Sequence, residues 1–291
     1  MRRSDLRRFF TFGNRKFSLG LNTGAPVSFS YPREKGRSGD RRFIFALHKS
    51  GSVLLNRIVD DLSESAGVPV FNFPELIFER GIRFQDLESV PADLFRSPGV
   101  IYSGFRLLPK PPCRLELDIG GKTILMVRDP RDILVSMYFS MKVSHAVPKS
   151  GNSREKLLKI RENAEALSID DFVRAGCRRL RRKFRRYQKV LVDSETLETR
   201  VFRYEDVIFE KTQWVADIAE FLELDVPEEE MSKIATKHDL RPQREDPTSH
   251  IRRVAPGDYR EKLTKDTIEF LNSELADAVR PFGYELGCGA D

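Results

Sequence analysis

The sequence predicts an α/β fold, a single domain with a central, mainly parallel five-stranded sheet flanked by helices. Short apolar runs with high β-propensity recur near residues 43–47, 68–71, 99–103, 123–127 and 199–203. Segments with helical periodicity alternate with these runs, including later helices near 206–222, 228–237 and 264–280. This alternation is typical of parallel strands joined by crossover helices. The length of 291 residues allows one large unit or two domains, and the regular alternation favours one.

The first strand leads into a polar loop and then a helix. Residues 43–47 read Phe-Ile-Phe-Ala-Leu, and residues 53–62 have helical periodicity. Because a helix N-terminus presents unpaired amides and a positive dipole end, this loop is a candidate anion site. The loop adds a cation, two hydroxyls and a residue that permits close backbone approach: Lys49, Ser50, Ser52 and Gly51. The alternative is an ordinary serine-capped helix.

A second strand and helix repeat this arrangement later in the chain. The strand over 122–127 ends at Arg128, and Asp129 can cap a helix that has Pro130 at its first position. Ser136 follows about two turns along that helix, so Arg128 and Ser136 can together grip one phosphate. The alternative for Arg128 is a surface ion pair with Asp132.

Charge is concentrated at the front of the chain. The net charge is +6 with a pI near 9.2, but residues 1–42 alone carry an excess of +8, which leaves −2 for the rest. We therefore expect a basic, flexible arm over 1–41, a folded body over 42–291, and no nucleic-acid partner. The arm is interpreted as a solvated extension, with a polyanion or acidic-surface contact as the alternative.

The sequence also indicates a compartment. It has no apolar run long enough to cross a bilayer, and no apolar core follows the basic N-terminus as it would in a signal peptide. Three widely spaced cysteines, Cys113, Cys177 and Cys288, are typical of reduced thiols. A cytoplasmic protein is the prediction.

Taken together, the two loops resemble the nucleotide-binding segments of the sulfotransferase family. Residues 201–206, Val-Phe-Arg-Tyr-Glu-Asp, are similar to that family's strand-to-helix Tyr-Glu-Asp segment. Residues 251–259, Ile-Arg-Arg-Val-Ala-Pro-Gly-Asp-Tyr, resemble its late Arg-Lys-Gly loop, which ends in Gly-Asp-Trp. The four segments keep the family's order and span residues 43 to about 282.

This resemblance implies a P-loop-like fold and a sulfotransferase that uses 3′-phosphoadenosine-5′-phosphosulfate (PAPS) and releases 3′-phosphoadenosine-5′-phosphate (PAP). It assigns the 5′-phosphosulfate to the first loop: Lys49, Ser50, Gly51, Ser52, Val53 and Leu54. It assigns the 3′-phosphate to Arg128 and Ser136 and to a closing loop with Arg252, Arg253 and Val254. It assigns the adenine region to Tyr204. We expect residues 237–262 to form a lid that orders on nucleotide binding.

The residue types suit the chemistry of sulfuryl transfer. The group passes between two oxygens nearly in line while charge builds on the leaving phosphate oxygen, as in phosphoryl transfer. Lys49 can neutralise that charge, and fixed cations with helix amides make a metal ion unnecessary.

The base that deprotonates the acceptor is less evident. Many cytosolic family members carry a His in a Lys-Thr-His-Leu-Pro segment, but residues 102–109 here read Tyr-Ser-Gly-Phe-Arg-Leu-Leu-Pro. By resemblance to members that act on glycans or tyrosine, Glu75 is the candidate, although it could simply be an acid in the first turn of a short helix. His48 is the next candidate, and His145 and His250 lie in predicted loops.

Several readings stay open. The Arg-rich helix 174–191 is interpreted as amphipathic with solvated arginines, and an anionic acceptor, membrane or polyanion contact is the alternative. Trp214 is assigned to helix packing. A nucleotide kinase is disfavoured because no glycines lead into Lys49 as a Walker loop requires. A noncatalytic nucleotide- or polyanion-binding protein is the other alternative. The sequence does not identify the acceptor, which is a small molecule, a glycan, a lipid or a tyrosine. It does not indicate the oligomeric state either.

Overall fold

A computed structural model describes residues 13–22, 24–33, 40–144, 167–239 and 254–286. Its central sheet has five parallel strands: β3 (Arg42–Ala46), β4 (Val70–Phe71), β6 (Ile101–Phe105), β7 (Gly121–Val127) and β8 (Leu197–Arg203). Their spatial order is β4-β6-β3-β7-β8. The predicted parallel sheet is confirmed, with each strand within a few residues of its expected position.

Helices cover both faces of the sheet. In chain order they are α1 (Ser52–Ser65), α2 (Phe73–Glu79), α3 (Pro130–Phe139), α4 (Ile169–Tyr187), α5 (Tyr204–Val207), α6 (Lys211–Phe221), α7 (Glu228–His238), α8 (Tyr259–Lys262) and α9 (Lys265–Val279). The chain leaves β3 toward β4 on one side, and after β6 it returns to the other side at β7. The order therefore reverses beside β3, and α/β proteins bind ligands at such a switch point.

Two apolar cores lie on opposite faces of the sheet. Alternate residues of β3 point to opposite sides, so that Phe43 and Phe45 join one core and Ile44 joins the other. The first core includes α4, whose apolar residues are buried as predicted: Val173, Cys177, Leu180, Phe184 and, just beyond the helix, Leu191. Its exposed face carries arginines: Arg178, Arg179, Arg182, Arg185 and Arg186. In the second core, Trp214 packs edge-on to Phe202 with ring centroids 6.3 Å apart.

The expected flexible arm requires a correction. Residues 13–33 form an antiparallel hairpin of β1 (Gly13–Leu21) and β2 (Val27–Arg33), and β1 also pairs with β5 (Leu87–Ser89). Phe17, Leu19 and Phe29 are buried in the first core. These apolar residues alternate with polar ones, which is a strand pattern, but the many glycines and basic residues around them obscured it. Residues 1–12 and 34–39 lie outside the described residues.

The described cysteines are buried free thiols. Burial raises the pKa of Cys113 to about 12 and that of Cys177 to about 11. Because the thiolate is the reactive form, neither sulfur is suited to nucleophilic chemistry at neutral pH. Cys288 lies outside the described residues. Within the described part of the chain, no helix is both long and apolar enough to span a membrane.

Candidate nucleotide-binding site

The two predicted anion loops lie side by side at the carboxyl edge of the sheet. Their strands β3 and β7 are neighbours in register, with Ala46 opposite Met126. The amide of Leu47 donates to the carbonyl of Met126 at 3.0 Å, which keeps the two chains together where they leave the sheet. The first loop therefore turns into α1 directly beside the start of α3.

The first loop makes its turn with two left-handed residues. Lys49 has φ 67° and Gly51 has φ 86°, and Gly51 is the N-cap of α1 without a side-chain cap. A Cβ on Gly51 would lie 3.0 Å from Met126 Cε and 3.1 Å from Tyr204 Cδ2. Glycine is thus required by backbone conformation and by space. The first-turn amides of α1 have no carbonyl one turn back, so they are available to an anion.

Ser50 has a different role from the one expected. Its buried hydroxyl donates to the carbonyl of Leu47 and lies 3.1 Å from the carbonyl of Met126. Its amide also donates to the carbonyl of Leu47, at 3.2 Å. Since both donors are used within the protein, Ser50 ties the loop to the ends of β3 and β7 and offers no hydrogen bond to an anion. Ser52, also buried, opens α1.

Arg128, at the end of β7, is buried at the junction of the two loops. Its Nη1 donates to the main-chain oxygen of Lys49 at 3.4 Å, and its Nη2 donates to Asp132 at 3.3 Å. The guanidinium also lies 4.5 Å from the centroid of the Tyr204 ring. The alternative ion pair with Asp132 therefore exists, but it is buried and not on the surface. Arg128 Nε is buried and has no hydrogen-bond partner within the described residues.

The start of α3 confirms the predicted cap. The Asp129 carboxylate accepts from the amide of Arg131 at 2.9 Å, with Pro130 in the first turn. Asp132 and Ser136 are four residues apart in α3 and therefore lie on the same face of that helix, and Asp132 pairs with Arg128. Ser136 is half-buried. That Arg128 and Ser136 together bind one phosphate stays a prediction.

Tyr204 closes the other side of the first loop. It begins α5 directly after β8, its ring packs against Gly51, and its hydroxyl donates to the carbonyl of Val254 at 2.8 Å. Burial raises the pKa of Tyr204 to about 12, so the phenol is protonated at neutral pH and remains a donor. Tyr204 and Val254 are therefore neighbours.

Glu205 braces the second loop. Its carboxylate accepts from the amide of Asp129 at 2.8 Å and from the hydroxyl of Tyr284 at 2.7 Å. Burial raises the pKa of Glu205, and the hydrogen bonds from Asp129 and Tyr284 oppose that shift. These contacts join α5, the start of α3 and the C-terminal segment. They could not be predicted from the sequence because the residues are far apart in the chain.

The predicted lid is described only in part. Arg252 and Arg253 lie outside the described residues, as does everything from 240 to 253. The following segment is already attached to α3, because the amides of Gly257 and Tyr259 donate to Asp132 at 2.7 and 3.0 Å. The sequence predicts Asp132 only as a partner of Arg128. Its contacts to this segment connect residues 125 and 127 positions apart, which no local pattern indicates.

Glu75, the candidate base, lies on the other side of β3. It is in the first turn of α2, exposed, and its carboxylate accepts from Asn72 Nδ2 at 2.7 Å. The side-chain oxygen of Asn72 caps the helix by accepting from the Glu75 amide at 3.1 Å. A Cβ on Gly104 of β6 would lie 2.0 Å from that oxygen, so the glycine makes room for Asn72. Glu75 is therefore an acid in the first turn of a short helix, and its role as the base stays a prediction.

Arg106 lies near Glu75. Its side chain is exposed, while burial lowers its pKa and the nearby Glu75 charge opposes that shift. His48 is half-buried beside the first loop, and His145 and His250 lie outside the described residues.

Comparison with known proteins identifies the family. A family profile for the sulfotransferase domain matches residues 40–279. The chain belongs to the sulfotransferase family. It is therefore an enzyme of the transferase class. Among curated proteins, no sequence gives a significant match.

Solved sulfotransferase structures share the fold. Mouse sulfotransferase SULT7A1, crystallised in complex with PAP, is 17% identical, and the likeness covers 84% of this chain and 85% of that chain at a TM-score of 0.50. Retinol dehydratase, in a complex with androsterone and the inactive cofactor PAP, is 13% identical over 82% of this chain and 80% of its own, at a TM-score of 0.46. All four segments that carried the resemblance fall inside the matched range of this sulfotransferase.

The sulfotransferase site is built from fixed cations, amides and hydroxyls. Within the described residues, no group of three or more His, Cys, Asp or Glu side chains is placed to hold a metal ion. The cations Lys49 and Arg128 lie in the two loops beside the first-turn amides of α1. These groups favour an anionic ligand between the two loops.

Proposed function

We propose that this sulfotransferase transfers a sulfuryl group from PAPS to a hydroxyl or amine acceptor. The observation that carries the proposal is the contact between Arg128 and the main-chain oxygen of Lys49, because it brings the two anion loops to one cleft. A single nucleotide with phosphates at both ends can then meet both loops. The solved mouse relative was crystallised with PAP, the corresponding product.

The residues present fit such a nucleotide. The first-turn amides of Ser52, Val53 and Leu54 face the 5′ end, and Gly51 permits close approach. At the other end, the unpartnered Nε of Arg128 is a donor that a phosphate could satisfy. Ser136 and, by family resemblance, Arg252, Arg253 and Val254 complete that end, with Tyr204 beside the adenine.

PAPS supplies the activated sulfuryl group, and the protein supplies position and charge. We assign Lys49 to the leaving phosphate oxygen, where its ammonium offsets the negative charge that develops during transfer. Its left-handed backbone, φ 67°, turns the chain between the end of β3 and the N-terminus of α1. Such a donor acts most strongly when the cleft excludes water.

We assign Glu75 to the acceptor proton. Its position after β4 puts it at the same carboxyl edge of the sheet as Lys49. In the strand order, β4 and β7 lie on opposite sides of β3. Asn72 holds one carboxylate oxygen and leaves the other for an acceptor hydroxyl. The exposed surroundings of Glu75 and the cation of Arg106 suit a polar acceptor group presented from a small molecule, glycan or lipid.

The reaction is proposed for the cytoplasm. The free thiols of Cys113 and Cys177 support a reducing compartment.

The test is transfer of labelled sulfate from PAPS to a panel of alcohols, phenols, amines and glycans, followed by mass spectrometry of host extracts for products heavier by one sulfuryl group. A labelled product that requires Lys49 supports the proposal. Tight PAP binding without any labelled product would favour a noncatalytic nucleotide-binding protein. Mg²⁺-dependent ATP turnover would favour a kinase instead.

A further inference from the structure

A buried carboxylate lies between the two halves of the nucleotide site. The side chain of Asp132, on α3, is fully buried, with a relative exposure of 0%. It accepts three hydrogen bonds from different parts of the chain: Arg128 Nη2 at 3.3 Å, the Gly257 amide at 2.7 Å and the Tyr259 amide at 3.0 Å. A buried charge needs such partners, and here each partner belongs to or adjoins the ligand cleft.

The first of these contacts fixes Arg128. Two of its guanidinium nitrogens are directed by Asp132 and by the carbonyl of Lys49, and one face lies over the Tyr204 ring. A planar guanidinium held at two nitrogens and one face has a single orientation. Its buried Nε, which lacks a partner in the described residues, is the donor left over.

The other two contacts fix the segment 254–259. Asp132 holds Gly257 and Tyr259 by their amides, and the carbonyl of Val254 accepts from Tyr204. The guanidinium of Arg131 lies 3.9 Å from the centroid of the Tyr259 ring. Both ends of this segment are thus attached to the walls of the cleft.

We propose that Asp132 is a positioning residue for recognition of the nucleotide 3′-phosphate. It orients Arg128 and seats the segment 254–259 against the same turn of α3, so that this enzyme distinguishes nucleotides with a 3′-phosphate from those without one. The inference rests on the proposed use of PAPS. It assigns Asp132 no contact with the nucleotide itself.

An asparagine side chain at position 132 cannot accept the same three hydrogen bonds. The carboxylate accepts from three donors, whereas the asparagine side chain has one acceptor oxygen and an NH₂ group. In Asp132→Asn, the NH₂ group would face either the guanidinium of Arg128 or a main-chain amide. Both are hydrogen-bond donors, so no hydrogen bond could form there. Either the anchor of Arg128 or the attachment of Tyr259 would be lost while the volume of the side chain is kept.

A matched control exists elsewhere in the chain. Asp170, at the start of α4, accepts from the amide and hydroxyl of Thr264 at 3.1 and 2.8 Å. Asp170→Asn therefore makes the same chemical change at a carboxylate that also holds a main-chain amide, and it does so outside the nucleotide loops.

The test compares PAP with adenosine 5′-phosphate, which lacks the 3′-phosphate, in calorimetric titrations of the full chain. We expect Asp132→Asn to weaken PAP binding by about tenfold or more, since one such charge-assisted contact corresponds to at least that factor. Binding of adenosine 5′-phosphate should change less than about twofold, and Asp170→Asn should leave both unchanged. Equal losses for both nucleotides, or wild-type PAP affinity, would overturn the inference.

A different result is expected if the enzyme does not use PAPS at all. If the wild-type enzyme does not prefer PAP over adenosine 5′-phosphate, the donor assignment itself is wrong. A second measurement does not depend on the variant folding: the amides of Gly257 and Tyr259 should exchange hydrogen at least about tenfold more slowly than unprotected amides in the wild-type enzyme without nucleotide. Unprotected exchange there would contradict the role of Asp132.

Discussion

The guanidinium of Arg128 donates a hydrogen bond to the main-chain oxygen of Lys49, over 3.4 Å. These residues follow two adjacent strands but are 79 positions apart in sequence. Their contact makes one cleft from two loops. Had the two side chains faced separate clefts, no single bisphosphorylated nucleotide could bridge them, and the reading of the chain as a PAPS-dependent enzyme would lose its basis.

Lys49→Ala should reduce sulfuryl transfer by about 100-fold or more, because a preorganised cation at the leaving oxygen is removed. The measurement is turnover with labelled PAPS and any acceptor found in the panel. Lys122→Ala is the control, because Lys122 pairs with Glu198 and Glu223 at the other end of the sheet. Turnover in Lys49→Ala that matches this control would remove Lys49 from the mechanism.

Glu75→Gln should slow transfer by about 10²-fold or more while PAP affinity stays at the wild-type value, since general bases contribute on that scale. Glutamine keeps the size and the helix cap but cannot take a proton. Glu79→Gln, one turn later on the exposed side of α2, is the control and should be active. Near-normal turnover in Glu75→Gln would leave Glu75 with only its capping role.

Gly51→Ala should weaken PAP binding and lower the free energy of unfolding by about 1–3 kcal/mol, because a Cβ meets Met126 and Tyr204 and the backbone is left-handed. Gly67→Ala separates the two causes. Gly67 has φ 64° but nothing within 4 Å of its Cβ position, so this variant carries backbone strain alone. Urea unfolding and calorimetry should show a stability loss in both variants and an affinity loss only in Gly51→Ala.

Asp61 predicts a specific pH dependence of stability. Burial by itself raises the pKa of Asp61, but hydrogen bonds from Lys237 and His238 outweigh it and hold that pKa below its usual range. A carboxyl with a lowered pKa in the folded state stabilises the fold above its unfolded pKa, and the contribution is lost as the pH falls through the folded value.

Asp61→Asn should therefore be less stable than the wild type by about 1–3 kcal/mol at pH 7, from loss of charged hydrogen bonds. The difference should shrink toward zero as the pH is lowered into the acid range, as measured by urea unfolding. Asp277→Asn, an exposed carboxyl on α9, should show little difference at any pH. A gap for Asp61→Asn that does not change with pH would refute the assignment.

The sequence predicted the sheet well because its central strands, such as β3 and the end of β7, are short apolar runs buried on both faces. It failed at the hairpin 13–33, where two strands with one buried face are surrounded by glycine and arginine. In the site, Asp129 was correctly predicted as a cap because its partner is two residues away. Asp132 and Glu205 were missed as bracing residues because their partners lie 125 and 79 residues away, and no local pattern encodes such distances.

Because of the hairpin 13–33, the folded part of the chain begins before the region that matches the family. Homology to the family begins at residue 40, yet Phe17 stacks on Phe29 at 5.3 Å and meets the edge of Phe71 at 6.2 Å, inside the matched region. The buried core therefore includes residues upstream of the matched domain. A protein trimmed to its homologous region would uncover an aromatic surface and an unpaired β5, and would be prone to self-association.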